Sequence, residues 1–266
     1  MKKTVEFGVF DFHIAHIVQK ENCSLADACK MVAACGCRWV ECGFDALTAE
    51  KIKVYRDNGL QISNIYCFLN FEHDVKERIC ALLEMVCKAA PKFVMPIPEK
   101  DNTPALQQKI LPVLIQLQKD LEQKNIQMVM EEYDGPDKTF ASSDGVLAYL
   151  DAIPGLKCCF DTGNFYYNGE DAFQVFPRFA DRIIHCHFKD RRLDETYAKF
   201  FGATAAGVKT AYAAIGDGIL PTREIFKALL DKGYNGCIIA EFAMCHDPLM
   251  TLRQSVSTMR HWLQSH

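Results

Sequence analysis

Residues 103–131 read TPALQQKILPVLIQLQKDLEQKNIQMVME, and the two halves of this stretch carry different periods. From Ala105 to Lys124, the residues Leu106, Ile110, Val113, Leu114, Leu117 and Leu121 recur at three- and four-residue steps. They form one apolar face of a helix, which has to pack on a sheet. Thr103 before Pro104 supplies an N-cap followed by proline at the first helical position, where a missing N–H costs nothing. After Asn125 the helical period stops. Ile126 to Glu131 is a short apolar run closed by an acid, the pattern of a parallel strand buried on both faces.

The same unit recurs in both directions along the chain. Strands are predicted at Val5 to Phe10, Arg38 to Cys42, Gln61 to Cys67, Phe93 to Pro96, Ile126 to Glu131, Leu156 to Asp161, Ile183 to Phe188 and Gly236 to Glu241. Their starts lie about 33 residues apart, the length of one strand–helix–strand unit. Asp247 before Pro248 repeats the N-cap signal, and Gly233 after Ile225 to Lys232 is a C-terminal stop. Eight such units can close without leaving a sheet edge, so the expected fold is α/β, a single (β/α)8 TIM barrel spanning residues 1–266 as one catalytic domain. The rival, an open doubly wound sheet, carries a glycine-rich turn after its first strand. Phe10-Asp11-Phe12-His13 has no glycine.

Composition narrows the function classes. With 266 residues, 49% of them hydrophobic, there is ample chain for a large core. Thirty-four acidic against 30 basic side chains give a net charge of -4, and no Lys/Arg block breaks the balance. Nucleic acid and anionic membrane surfaces, which need a basic footprint, are therefore disfavoured partners. No apolar run approaches the roughly 18 residues of a membrane span. Met1-Lys2-Lys3-Thr4-Val5-Glu6 meets an acid before a signal-peptide region forms, so a cytoplasmic location is expected. The thirteen cysteines are odd in number, lack Cys-x-x-Cys spacing and sit mostly in apolar runs, as reduced core fillers do. Cys158-Cys159 and Cys35-Gly36-Cys37 have no second half at zinc-site spacing.

In a barrel of this kind, chemistry sits at the carboxyl ends of the strands. Four late strands finish on hard-metal ligands: Met128-Val129-Met130-Glu131, Cys158-Cys159-Phe160-Asp161, His185-Cys186-His187-Phe188-Lys189-Asp190 and Ile238-Ile239-Ala240-Glu241. Three carboxylates and an imidazole converging on one point repel unless a divalent cation lies between them. Three oxygens and one nitrogen suit Mn²⁺, Mg²⁺ or Co²⁺. Strict alternation with Met128 and Met130 facing inward favours Glu132 over Glu131. His185 and His187 share one strand face, and Lys189, Asp190, Arg191 and Arg192 follow at the mouth, where a cation can meet a substrate phosphate or carboxylate or can simply be solvated. Asp11, His13 and Glu41 close the first two strands and either line the far wall or are structural. Arg191 to Ala214 is longer than a normal loop, and its Phe200-Phe201 and Tyr212 suit a lid or a subunit contact. Gly216-Asp217-Gly218 reads as a tight turn rather than a phosphate cradle, and His246, His261 and His266 carry no constellation.

Taken in order, Glu131, Asp161-Thr162-Gly163-Asn164, His185-x-His187-x-Lys189-Asp190, Ile215-Gly216-Asp217-Gly218-Ile219 and Gly233-Tyr234-x-Gly236 with Glu241 resemble the sugar phosphate isomerase/epimerase family of xylose isomerase-like barrels. The resemblance implies that Glu131, rather than Glu132, joins Asp161, His187 and Glu241 in binding one divalent metal. Manganese is the expected ion, with Mg²⁺, Co²⁺ or Zn²⁺ as substitutes. In the family's ketose 3-epimerases the two glutamates also move the proton. Asn164 departs from the pattern, standing where many relatives carry a histidine; asparagine only hydrogen-bonds.

The function this implies is a metal-dependent isomerase or epimerase of a ketose, ketose phosphate or related polyol ketone, working through an enediolate. Glu131 and Glu241 are its expected catalytic pair, and His13, Asn164, His185, Lys189 and Arg191 its expected substrate contacts. Dehydration of a cyclic hydroxy-ketone of the inosose or dehydroshikimate type is the alternative, followed by a non-catalytic metal- or sugar-binding barrel. A metal-dependent endonuclease needs further histidines and a basic track. The expected partner is a small sugar or polyol, with a homo-oligomer possible.

Overall fold

A computed structural model describes residues 5–135 and 138–266; Met1 to Thr4, which entered the argument on location, lie outside them. Eight parallel strands form the barrel: β1 (Glu6–Phe10), β2 (Cys37–Gly43), β3 (Gln61–Leu69), β4 (Phe93–Pro98), β5 (Gln127–Glu131), β6 (Lys157–Asp161), β7 (Ile183–Arg192) and, after an inserted hairpin of β8 (Phe200–Ala203) and β9 (Lys209–Ala213), β10 (Cys237–Glu241). Neighbours along the chain pair in parallel, and β10 pairs with both β7 and β1. The sheet closes on itself, which is the TIM barrel expected from eight buried strand runs.

The helices obey their sequence signals. Pro104–Glu122 buries Leu106, Ile110, Leu114, Leu117 and Leu121 against the sheet, and Thr103 Oγ1 accepts from Leu106 N at 3.2 Å. Asp247 caps Pro248–Gln264 in the same way, through Met250 N at 2.8 Å. Thr222–Asp231 ends just before Gly233, whose φ of 77° is the left-handed conformation that terminates a helix. Between strands and helices lies the main core, and a smaller cluster of Phe10, Trp39, Cys237 and Ile239 fills part of the barrel interior. All thirteen cysteines are free, with only Cys80 and Cys87 exposed. No helix among the described residues is long and apolar enough to cross a membrane.

β7 runs four residues past its expected end at Phe188. Asp190, Arg191 and Arg192 pair antiparallel with Ala213, Tyr212 and Ala211 of β9, and β9 pairs in turn with β8. The long connection after Arg191 is thus a hairpin growing out of a barrel strand. Tyr167, in the turn of helix Asn164–Tyr167 after β6, pins it by donating to Phe201 O at 2.5 Å.

Of the charge run at the end of β7, only Arg192 is partly open to solvent. Lys189, Asp190 and Arg191 are all buried. Asp190 accepts from the backbone N–H groups of Gly216 at 2.9 Å and of Gly218 and Leu220 at 3.1 Å each. The glycine turn does cradle an anion, but that anion is the protein's own carboxylate. A Cβ on Gly218 would lie 2.1 Å from Asp190 Oδ1 and 2.5 Å from Arg191 O, so only glycine fits there.

Candidate active site

Strand register builds the site. Asp161 on β6 stands beside His187 on β7, and Lys189 on β7 stands beside Glu241 on β10. Glu131 closes β5 one strand further round. One ligand atom from each of Glu131, Asp161, His187 and Glu241 lies within 4.8 Å of all the others. His187 Nδ1 is 2.5 Å from Glu131 Oε1 and 3.8 Å from Glu241 Oε2. Glu131, not Glu132, is the member of this group. Alternation from Glu131 makes Val129 the inward neighbour and turns Met128 and Met130 toward the helices, the reverse of the assumption that favoured Glu132. Every residue from Met128 to Met130 is buried, so burial gave no clue to the facing. Glu132 lies just beyond the strand, with Oε1 accepting from Asn168 Nδ2 at 3.3 Å.

Charge balance in the cluster is lopsided. Burial pushes the Glu131 carboxyl up to about 8, against the pull of His187, and raises Glu241 against the pull of Lys189. Lys189 Nζ donates to Glu241 Oε1 at 2.9 Å and Asn164 Oδ1 at 2.5 Å, and lies 3.4 Å from Asp161 Oδ2. Burial opposes its charge, but Asp161 and Glu241 hold its pKa well above the usual lysine value. Asp161 Oδ1 accepts from Gly163 N and Asn164 N at 2.6 and 2.7 Å, while the buried Oδ2 has no hydrogen-bond donor among the described residues.

Glu41, at the end of β2, organises the imidazoles from below. Its Oε2 is 2.7 Å from His185 Nε2 and 2.9 Å from His187 Nε2, and its Oε1 accepts from Asn64 Nδ2 at 2.7 Å. Burial alone would raise its carboxyl, but His187 and His185 more than reverse this and hold it down at about 2. The ionised Glu41 fixes the Nε2 side of His187 and leaves Nδ1 facing the cluster. A carboxylate behind a histidine in this way orients the ring and raises its basicity as a ligand.

The expected substrate contacts divide. Lys189 joins the cluster directly, and Asn164 supports it, its Nδ2 being occupied by Glu132 O at 2.7 Å. His185 is held by Glu41 below the mouth, where one donor atom each of Cys159, His185 and His187 also lie within 4.8 Å of one another. His13 is not brought to the cluster. It stacks on Phe242 at 4.0 Å and accepts from Phe242 N at 3.1 Å, a core histidine whose burial disfavours the charged form. Arg191 lies above Lys189 on the same strand face, between the rings of Tyr167 and Tyr212.

Fold and site together define a (β/α)8 barrel with a carboxylate–imidazole cluster at its carboxyl-terminal mouth. The chain belongs to the xylose isomerase-like TIM barrel family, which it matches over residues 29–264. Over 108 residues it is 36% identical to an inosose dehydratase of Lacticaseibacillus casei, a match covering 39% of this chain and 36% of that enzyme, so only about a third of the relative's length is spanned. The probable 3-DHS dehydratase AsbF of Bacillus anthracis, involved in petrobactin synthesis, shares the fold with a TM-score of 0.76 at 18% identity, over 96% of this chain and 99% of that one. A D-allulose 3-epimerase from Methylomonas sp. does so with a TM-score of 0.73 at 12% identity, over 98% of each chain.

Proposed function

We propose that this chain is a divalent-metal-dependent isomerase or epimerase that removes and returns a proton beside the carbonyl of a ketose, ketose phosphate or related polyol ketone. The observation that carries this reading is a difference within the cluster. Asp161 and His187 have fully buried side chains, whereas Glu131 and Glu241 keep 10% and 13% of theirs open to the mouth. On this reading Asp161 and His187 hold the ion, and Glu131 and Glu241 both hold it and react.

The donor set fits a divalent cation such as Mn²⁺, with Mg²⁺, Co²⁺ or Zn²⁺ as substitutes. Three carboxylates and one imidazole supply hard donors, Asp161 Oδ2 has no hydrogen-bond donor among the described residues beyond the ion pair with Lys189, and the raised carboxyls of Glu131 and Glu241 lack sufficient neutralising charge. A cation bound there would supply a Lewis acid that polarises the carbonyl and offsets charge developing on its oxygen. Glu131 and Glu241 approach from β5 and β10, with β6 and β7 between them. One, ionised, takes the proton from the carbon beside the carbonyl, and the other, protonated, gives its own proton to the opposite face, which inverts that centre. Returned to the adjacent carbon, the proton gives aldose–ketose isomerisation instead. Lys189 holds Glu241 in place, and Asn164 holds Lys189.

Dehydration is favoured as a second reading by the buried Lys189 ammonium beside Glu241. A glutamate takes the C–H proton, the β C–O bond breaks, and Lys189 gives its proton to the departing hydroxide, which leaves as water. Asn164, unable to move a proton, is no obstacle to this route.

The test is deuterium uptake followed by NMR, with the Mn²⁺-loaded protein in D₂O against ketoses, ketose phosphates and inosose. Label beside the carbonyl is the expected result, and Glu241→Gln should reduce it at least about 10³-fold with the fold intact. Loss of substrate to an unsaturated product selects the second reading. Undiminished exchange in Glu241→Gln, or no exchange with any ketone despite bound metal, overturns the assignment.

A further inference from the structure

Two cations stand on the inward face of β7 beyond His187, and they differ in one respect. Lys189 has partners for its ammonium in Glu241 and Asn164, with Asp161 close by. Arg191 has none. Its side chain is fully buried, yet Nε, Nη1 and Nη2 all lack a hydrogen-bond acceptor among the described residues. Its guanidinium lies 3.9 Å from the Tyr212 ring centroid, 4.7 Å from that of Tyr167 and 6.0 Å from that of Phe201. Ring faces stabilise the positive charge but accept none of its five in-plane N–H groups. Among the described residues its ion pair is with Asp134, 3.9 Å from Nη2 and itself partly exposed, a long and open contact.

A buried guanidinium set over aromatic rings, with its N–H groups unpaired among the described residues, is a fork suited to a planar or tetrahedral anion. Its place relative to the cluster follows from the strand. Arg191 is four residues beyond His187 on the same face, on the order of 13 Å of extended backbone. The two side chains and a ligand of five or six carbons bridge that gap together.

We propose that Arg191, boxed by Tyr167, Phe201 and Tyr212 under the β8–β9 hairpin, is an anion subsite, so that the ketone handled here carries a carboxylate or phosphate at the end remote from its reacting carbonyl. This rests on the reading that the ketone sits at the Glu131–Asp161–His187–Glu241 cluster. The bound anion takes the Arg191 N–H groups and displaces Asp134 as counter-ion, which opens the subsite from the Asp134 side.

The experiment is calorimetric titration of the Mn²⁺-loaded protein with two matched pairs of probes: D-ribulose against D-ribulose 5-phosphate, and scyllo-inosose against 3-dehydroshikimate. At least one anionic probe should bind tenfold or more tightly than its neutral partner, and the pair that shows this separates phosphate from carboxylate. Arg191→Gln should reduce that ratio at least tenfold, and Arg191→Lys should retain part of it. In the wild-type protein, the ¹⁵Nε–H resonance of Arg191 should shift with the anionic probe and stay put with the neutral one. A ratio near one for both pairs, or the same ratio in Arg191→Gln, overturns the subsite. Should the glutamine variant fail to fold, an unmoved Arg191 resonance overturns it alone. Deuterium exchange without anion preference removes only the subsite. Anion preference without exchange removes only the catalytic reading.

Discussion

Glu41 shows what one fully buried residue contributes from behind the cluster. It bridges two histidines that lie 144 and 146 positions away in sequence, and it holds the His187 ring by Nε2. Glu41→Gln keeps the shape but removes the charge and turns one acceptor oxygen into a donor amide, so His187 loses its fixed orientation. The expected result is a 10–100-fold weaker affinity for Mn²⁺ at the cluster with an unchanged circular dichroism spectrum. Titration followed by the EPR signal of free Mn²⁺ measures this, and an unaltered affinity removes Glu41 from that role. In the sequence Glu41 was visible only as an acid closing the second strand. Nothing in one chain read linearly says that β2 and β7 face each other across a barrel interior. The four clustered residues were legible because each lies at or near the end of its own apolar run, whereas the choice of Glu131 over Glu132 rested on the family resemblance and not on the strand pattern. A strand buried on both faces carries no polar side to fix its phase.

At the level of elements, the barrel strands were readable because parallel buried strands announce themselves as apolar runs. The β7 extension was hidden, because His185 to Arg192 becomes steadily more charged and reads as a mouth loop. Its charges are buried only because other elements arrive to meet them: the glycine turn supplies Asp190 with N–H groups, and the hairpin supplies Arg191 with aromatic rings. The hairpin itself offered no alternation, since Phe200 and Phe201 are adjacent and both partly exposed. The turn is the joint between these pieces. Gly218→Ala forces a methyl group into Asp190 Oδ1 and the Arg191 carbonyl, so the cradle must open and a buried carboxylate loses donors. A destabilisation of about 2–4 kcal/mol is expected from overpacking plus lost hydrogen bonds. Urea unfolding of the two proteins tests it, and a loss below about 0.5 kcal/mol would mean that the turn adapts freely.

The whole molecule concentrates acid at one end of a closed barrel. Glu41, Glu131, Asp161 and Glu241 share a small, largely buried volume with one lysine and the imidazoles, so keeping all four ionised costs desolvation as well as mutual repulsion. A ligand that binds the native state and not the unfolded chain stabilises by mass action, worth about 2.7 kcal/mol at a hundred times its dissociation constant. For a chain of this size that corresponds to a rise in melting temperature of roughly 5 °C. Glu131→Gln separates the two halves of this argument. The variant removes one of the repelling acids, so without metal it should melt no lower than the wild type. It also removes a proposed ligand, so at the Mn²⁺ concentration that lifts the wild type it should show little or no rise. Calorimetric scans with and without Mn²⁺ read both quantities at once. A wild type indifferent to Mn²⁺, or a variant that gains as much as the wild type, would show that the acids at this mouth are held for some purpose other than a cation.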